Sequence, residues 1–289
     1  MMSAIEIRAH AKINLCLEIT GKRPDGYHEI NSVFHAVSLA DTLELSSRED
    51  DRIVLHCDVP HIPVDGRNLV IKAALALRRA MGAGPQPGAD IVLRKTIPAG
   101  AGLGGGASDA AATLRALCEL WSVDQRVARE LPAIAAAIGS DVPFFLSGGT
   151  CLVSGRGEII EPLACPQQYH FIIVFPGFPV STAWAYKMVK NELTKSAKFS
   201  KILSAFCLEG AFPATIAQLF YNDLEIAVIP SHPQIQAAKS QLTGLGAINA
   251  LMSGSGSSVF GIFSDQESAR TAFGTIKTVW PSSYLVSSV

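Results

Sequence analysis

Between Ile97 and Asp109 the chain reads Ile97-Pro98-Ala99-Gly100-Ala101-Gly102-Leu103-Gly104-Gly105-Gly106-Ala107-Ser108-Asp109, with five glycines in the seven residues from 100 to 106. Helices and strands do not hold glycine at that density, because each one loses backbone entropy and offers no side chain to pack. The segment is therefore a loop, and its flanks say what kind. An apolar strand candidate, Ile91 to Arg94, precedes it, and Ala110 to Leu120 follows with helical periodicity. A flexible linker would carry scattered serines and no anchored ends. A glycine turn running into a helix at about Gly106 gathers bare backbone N–H groups at the positive end of a helix dipole, which is a phosphate site.

The spelling of the loop narrows the phosphate. A Walker A loop needs Gly-Lys-Ser/Thr after its glycines, and here Gly106-Ala107-Ser108 has no lysine for the terminal phosphates. Gly100, Gly102 and Gly105 match the dinucleotide fingerprint by spacing. That fingerprint also needs an acidic residue about 20 positions on, at the end of a second strand. The nearest candidate, Glu119, lies on the helix itself. The nicotinamide reading is the weaker one, although spacing alone leaves it open.

A chain of 289 residues with 48% hydrophobic and 17% charged residues can build one large or two ordinary globular domains. A formal net charge of −1 gives no long-range attraction to nucleic acid or to acidic membranes. The mildly basic stretch Lys187 to Lys201 reads as a solvated helix face. No segment approaches the roughly 18 consecutive apolar residues of a membrane span, and Met1 to His10 lacks the layout of a secretion signal, so cytoplasmic residence is expected. The six cysteines, at 16, 57, 118, 151, 165 and 207, form no Cys-x-x-Cys pair and are expected to be reduced and structural. The seven histidines show no metal-ligand spacing.

Ile13, Leu15, Leu17 and Ile19 alternate with Asn14, Cys16, Glu18 and Thr20, the pattern of a half-buried strand starting just after Lys12. A polar turn, Gly21 to Gly26, ends it. Strands are expected at Ser32–Val37, Thr42–Leu45 and Ile53–Leu55, then a helix over Asn68–Met81 closed by Gly84–Gly88. A second alanine-rich helix, Gln125 to Ile138, leads into Gly139-Ser140-Asp141-Val142-Pro143. Beyond it come a strand at Phe171–Phe175 and helices around Ala183, Ser200, Ile216 and Gln234. The end of the chain offers strands at Leu251–Ser253 and Val259–Phe263, and Ser264-Asp265-Gln266-Glu267 reads as a capping box opening a helix to about Val279. Strands mixed with helices, without regular alternation, make an α+β protein. The boundary between two domains, 1–163 and 164–289, is expected between about 160 and 168.

Three segments, Ala11-Lys12-Ile13-Asn14-Leu15, Pro98 to Asp109, and Leu251-Met252-Ser253-Gly254-Ser255-Gly256, occur in an order that resembles the GHMP superfamily of small-molecule kinases. Gly26-Tyr27-His28 and Gly139-Ser140-Asp141-Val142-Pro143-Phe144 narrow the resemblance to the branch acting on a cytidine-diphosphate-linked methylerythritol. The resemblance implies a two-domain fold of mixed and antiparallel sheets packed with helices, with the active site in the cleft between domains. It also implies ATP with Mg²⁺ as co-substrate, a small-molecule acceptor phosphorylated on its 2-hydroxyl, and a place in non-mevalonate isoprenoid synthesis.

By that resemblance Pro98, Ala99, Gly100, Ala101, Gly102, Leu103, Gly104, Gly105, Gly106, Ala107 and Ser108 wrap the ATP phosphates. Lys12 and Asp141 are catalytic. Phosphoryl transfer asks for a cation near the moving group and a carboxylate near the attacking hydroxyl. Asp141 would take the hydroxyl proton, and Lys12 would keep that carboxylate ionised and attract the γ-phosphate. Taken alone, a lysine at a strand start is a solvated end, and an aspartate two residues before proline is a turn or a cap. Tyr27 and His28 would read cytosine by stacking and hydrogen bonding. Tyr186 would be a second stacking aromatic or a core helix residue, and Asn14 a contact to the diphosphate. Ser108 is equally a Mg²⁺ ligand and a helix cap, so the metal ligands stay unknown. Gly254-Ser255-Gly256 would buttress the phosphate loop or touch substrate. Ala101 and Ala107 replace glycine or serine of relatives, small for small, and Lys195–Ala211 matches nothing in the family pattern. Homoserine- and mevalonate-type kinases, or a nucleotide sensor without chemistry, are the alternatives, and a substrate without a base gives no reason for Tyr27-His28.

Overall fold

A computed structural model describes residues 4–82, 84, 86–165, 168–189, 197–209 and 214–289. Contacts divide the chain into two compact units, one of Met1–Ala11, Leu39–Ile97 and Gly104–Ser147, the other of Lys12–Ser38, Pro98–Leu103 and Gly148–Val289. Two long strands, β1 (Ala4–Lys22) and β2 (His28–Arg48), contribute to both. β1 begins well before Lys12, because Ile5, Ile7 and Ala9 extend the same alternation against Glu6, Arg8 and His10. From Ala11 to Ile19 every residue is buried, so this stretch is covered on both faces and not on one as the alternation predicts. The two strands expected at Ser32–Val37 and Thr42–Leu45 are one. The polar residue that suggests a break, Asp41, is buried with its carboxylate accepting from the backbone N–H groups of Thr96 and Ile97, so the strand passes through it.

In the first unit the end of β2 pairs antiparallel with β4 (Gly88–Arg94), Leu45 opposite Ile91, and β4 runs parallel to β3 (Ile53–Cys57). A parallel pair needs a crossover, and α1 (Leu69–Met81) supplies it, started by Asn68, whose side chain accepts from Val70 N at 2.9 Å. α1 packs on α2 (Gly105–Leu120), whose buried Ala110, Ala111, Ala112 and Ala116 let the helices approach closely. The helix expected over Gln125–Ile138 is two, α3 (Gln125–Arg129) and α4 (Leu131–Ile138). Pro132 has no N–H to continue the ladder and instead opens the second helix. α5 (Val142–Ser147) follows with Val142, Pro143, Phe144 and Phe145 buried.

In the second unit Ser32–His35 of β2 pairs antiparallel with β5 (Thr150–Ser154), which turns back into β6 (Ile159–Leu163). A separate antiparallel sheet has the order β10 (Ser283–Ser287), β7 (His170–Val174), β9 (Val259–Phe263), β8 (Asn249–Met252). Ile235, Ala238 and Leu242 of α10 (Pro233–Gly244) and Ala269, Ala272 and Ile276 of α11 (Gln266–Val279) bury their apolar stripes against Ile172, Val174, Val259 and Phe263. Shorter helices, Thr182–Lys187, Ala197–Glu209, Ala214–Ala217 and Leu224–Val228, fill the connections. The cap of α11 lies one residue beyond the expected box. Asp265 Oδ1 accepts from Ser268 N at 2.8 Å, since a carboxylate is a stronger acceptor at a helix start than the Ser264 hydroxyl.

Residues 190–196 of the basic Lys187–Lys201 stretch, 210 and 211 of Lys195–Ala211, Pro85 of the Gly84–Gly88 turn and the Cys207 side chain lie outside the described residues. The other five cysteines are free thiols. No helix among the described residues is long and apolar enough to cross a membrane.

His35 is buried between β2 and its neighbours, with Nδ1 2.8 Å from Thr150 Oγ1 and Nε2 2.9 Å from Ser288 Oγ. Burial holds its imidazole down at about 4 against an ordinary 6.5, so it is neutral in the fold. The unfolded chain takes up the proton first, so this contribution is complete above pH 6.5 and is lost as pH falls toward 4, about 3 kcal/mol in all. Urea denaturation of the parent and of His35→Gln between pH 7 and pH 4 is expected to show the parent losing about 3 kcal/mol more across that range. Parallel pH profiles for the two proteins would contradict this.

Candidate active site

The first part of the glycine loop, Pro98–Leu103, belongs to the second unit. Gly100 and Gly102 have φ of 66° and 78°, while Ala101 and Leu103 between and after them keep negative φ. Alternation of this kind turns successive peptide N–H groups to one side, forming a concave anion nest. The carbonyls go the other way. Gly100 O accepts from Val180 N at 3.2 Å, Ala101 O from Ser258 N at 3.1 Å, Gly102 O from Ser253 Oγ at 2.9 Å and Leu103 O from Lys12 N at 3.0 Å. Among the described residues no hydrogen bond uses the backbone N–H of any residue from Ala99 to Ala107. The turn Ser253–Ser258 thus closes the β8–β9 hairpin and also buttresses the loop. Ala101 sits at an ordinary φ, which is why alanine serves there.

The loop leaves through Gly104 (φ 72°), the N-cap of the 16-residue α2, inside the first unit. Ser108 and Asp109 are buried in its first turns. Lys95, two residues before Ile97, donates to Asp109 Oδ2 at 2.8 Å and to Asp41 Oδ2, while Asp41 Oδ1 takes the N–H groups of Thr96 and Ile97. One ammonium and two carboxylates therefore tie the entry of the loop to its exit. Burial pushes the Asp109 carboxyl up to about 7, the Lys95 charge opposes this and the Asp41 charge adds to it. Asp109 Oδ1 has no hydrogen-bond partner.

Lys12 and Asn14 project from the same face of β1, as residues two apart must. Lys12 Nζ donates to Asn14 Oδ1 at 2.7 Å and stands 4.3 Å from the centre of the Phe34 ring. Both side chains are buried, at 4% and 1% exposure, so this is not a solvated strand end. Gly254 (φ 53°) lies beside them: a Cβ there would meet Lys12 Nζ and Asn14 Oδ1 at 3.4 Å and crowd Gly102 O at 3.2 Å, at a φ that side chains disfavour. The structure so brings Lys12, Asn14, the loop and the Gly254 turn into one cluster.

The turn after β1 is held by Asp25 Oδ1, which accepts from Tyr27 N at 3.1 Å, and by Arg23, which reaches Asp25 and Glu29. It presents Tyr27 in an exposed position, with the Arg156 guanidinium 5.2 Å over its ring. His28 stacks on Tyr186 with ring centres 5.3 Å apart. Tyr186 also packs against the core of its unit, so it is a core helix residue as well as a ring partner. Burial, with help from the Lys22 charge, lowers the His28 pKa, favouring the neutral ring that carries one donor and one acceptor.

Asp141 stands in the first unit at the end of the turn from Gly139, directly before α5. It is half-buried, where the glycine and proline around it suggest an exposed turn, because the apolar side chains of α5 draw the segment inward. Among the described residues no group of three or more His, Cys, Asp or Glu side chains is arranged to hold a metal ion.

The family model for the GHMP kinases N terminal domain matches residues 68–149, and that for the GHMP kinases C terminal matches 208–282. A 4-diphosphocytidyl-2-C-methyl-D-erythritol kinase of Gloeobacter violaceus is 41% identical over 275 residues, 93% of this chain and 89% of the relative. This chain belongs to that family of GHMP kinases. A crystal structure of a 4-(cytidine 5'-diphospho)-2C-methyl-D-erythritol kinase matches the kinase with a TM-score of 0.79 at 36% identity, over 98% of each chain. A homoserine kinase from Cytophaga hutchinsonii reaches 0.74 at 21% identity over 99% of this chain and 94% of its own, which is a likeness of fold alone.

Several residues that hold these features in place within each unit escape sequence reasoning. Asp41, Lys95 and Arg156 carried a faint signal, charges beside an apolar strand or between two glycines. Ser32 and Phe34 carried none, since their neighbours make them look like ordinary strand positions.

Gly102 tests the loop. A Cβ at this residue would fall 2.0 Å from Ser253 O, at a φ that side chains disfavour. Gly102→Ala is expected to raise the KM for ATP at least about tenfold while the KM for the acceptor changes little, read from initial-rate kinetics with each substrate varied.

Proposed function

We infer that this GHMP kinase transfers the γ-phosphoryl group of ATP to the 2-hydroxyl of 4-diphosphocytidyl-2-C-methyl-D-erythritol in the non-mevalonate isoprenoid pathway. The observation that carries the choice of acceptor is the Tyr27-His28 turn, an exposed ring beside a neutral imidazole, in a chain 41% identical to a relative of that name. Homoserine and mevalonate have no base for such a pair to read.

The phosphate nest from Pro98 to Ser108 holds the ATP phosphates on N–H groups and the α2 dipole. Lys12 offers a buried ammonium to the equatorial oxygens of the moving group, where charge accumulates in the transition state. The Asp141 carboxylate accepts the proton of the attacking 2-hydroxyl. A bond forms between that oxygen and the γ-phosphorus, the bond to the β-bridging oxygen breaks, and ADP leaves. Tyr27 stacks on the cytosine, His28 hydrogen-bonds its edge with Tyr186 behind it, and Asn14 contacts the diphosphate. Mg²⁺ fits as a passenger on the nucleotide: Ser108 can give it one hydroxyl, phosphates and water the rest, and it would neutralise charge on the β- and γ-oxygens.

Incubation with ATP, Mg²⁺ and each of the cytidyl substrate, homoserine and mevalonate, followed by ADP release, is expected to give turnover with the cytidyl substrate alone. Turnover with homoserine or mevalonate alone would displace this reading. Asp141→Asn is expected to lower kcat by about 10²- to 10⁴-fold with ATP binding retained, and unchanged turnover would remove Asp141 as the base.

A further inference from the structure

Behind Lys12 and Asn14 lies a third polar side chain that the reaction scheme leaves unused. Ser32, near the start of β2, is fully buried at 0% exposure. A hydroxyl has one hydrogen to give. Ser32 gives it to the Cys16 carbonyl of β1, at 2.5 Å, and a carbonyl can do nothing but accept. Toward its other neighbour Ser32 Oγ can then only receive a hydrogen, so Asn14 has to present its Nδ2, which lies 3.1 Å away. The amide is planar, and placing Nδ2 on Ser32 turns Oδ1 to the opposite side, where it meets Lys12 Nζ at 2.7 Å. With the amide reversed, two amide hydrogens would face an ammonium and two lone-pair oxygens would face each other.

We propose that Ser32 is a positioning residue for phosphoryl transfer, acting through Asn14 to fix where the Lys12 ammonium stands. The proposal rests on the reading of Lys12 as the cation at the γ-phosphoryl group. The chain of donors runs in one direction, from Lys12 to Asn14 to Ser32 to the Cys16 carbonyl, and ends on the backbone of the strand that bears Lys12. The side chain is thus referenced to its own strand, and β2 supplies the link. The Phe34 ring, two residues along β2 from Ser32, gives the same ammonium an aromatic face at 4.3 Å. A serine that merely satisfied a buried carbonyl would have no reason to influence the reaction beyond its effect on stability.

The test is kinetic. Ser32→Ala is expected to lower kcat about tenfold while the KM for ATP stays within about twofold, because ATP is held by the loop and not by this network. Ser32→Thr keeps the hydroxyl in a residue that suits a strand, and is expected to recover kcat to within about threefold of the parent. In an Asn14→Ala background, removing the Ser32 hydroxyl is expected to cost less than about twofold, since the route to Lys12 is already cut. A full additional tenfold loss there, or parental kcat in Ser32→Ala, would overturn the proposal. If Ser32→Ala does not fold, Ser32→Cys preserves the shape with a weaker donor and is expected to show the reduced kcat, with a parental value again overturning it. Lys12→Met in the same assay separates the two readings: parental turnover would overturn both, whereas an inactive Lys12→Met beside a fully active Ser32→Ala would overturn the role of Ser32 alone.

Discussion

Bare peptide N–H groups can hold an anion only if the carbonyls of neighbouring peptides are led elsewhere, because their lone pairs would face the same charge. In this kinase four consecutive carbonyls, Gly100 to Leu103, each have a donor from outside the loop: Val180, Ser258, Ser253 and Lys12. The loop conformation therefore depends on residues far apart in the chain, and the C-terminal hairpin turn shapes it as fully as the glycines do. Lys12 serves twice, its backbone N–H bracing Leu103 and its side chain carrying the charge. Any shift of β1 would move the brace and the cation together.

The first unit solves a different problem, holding the loop's entry and exit in register with charges taken out of water. A buried ion pair is seldom a net gain in stability, but it fixes geometry, and breaking one is costly. The Asp41–Lys95–Asp109 cluster spans the glycine segment at its base. Burial, with the Asp41 charge adding to it, leaves Asp109 favouring its proton, up to about 7 against an ordinary 3.8. The folded chain then binds that proton more tightly than the unfolded chain, so this group's contribution declines as pH rises from about 4 to about 7. His35, held near 4, changes in the opposite sense over the same range. The kinase carries two buried groups whose acid sensitivities offset.

Much of this could be read from the residues. The glycine loop, its helix, the start of α1 near Asn68 and the closing hairpin follow from local signals such as backbone freedom and periodicity, while the family was legible only through the resemblance carried by the order of several segments. What could not be read depends on neighbours distant in sequence. The burial of β1 on both faces needs the second covering layer, which no alternation records. Strands β5 and β10 mix polar with apolar residues, β6 carries a glutamate and a proline, and all three acquire their identity from the partners they pair with. At the site, Ser32 and Lys95 are single polar residues whose meaning arises only when a hydrogen-bond partner from another strand or helix comes into reach.

The order of the segments also bears on how the chain can fold. It passes between the two units five times, at 11/12, 38/39, 97/98, 103/104 and 147/148. The first unit has all of its residues once position 147 has been synthesised, but the second joins residues 12–38 to segments that arrive only near the C-terminus. Those pairings carry a high contact order, and the loop entropy of closing them has to be met before their contacts form. During synthesis β1 can pair with β2 at once, but the stretch around Leu17 still waits for a partner more than two hundred residues away, Tyr221, whose carbonyl accepts from Leu17 N. Chaperone demand in this kinase should concentrate on the interval between completion of the first unit and release of the last strand.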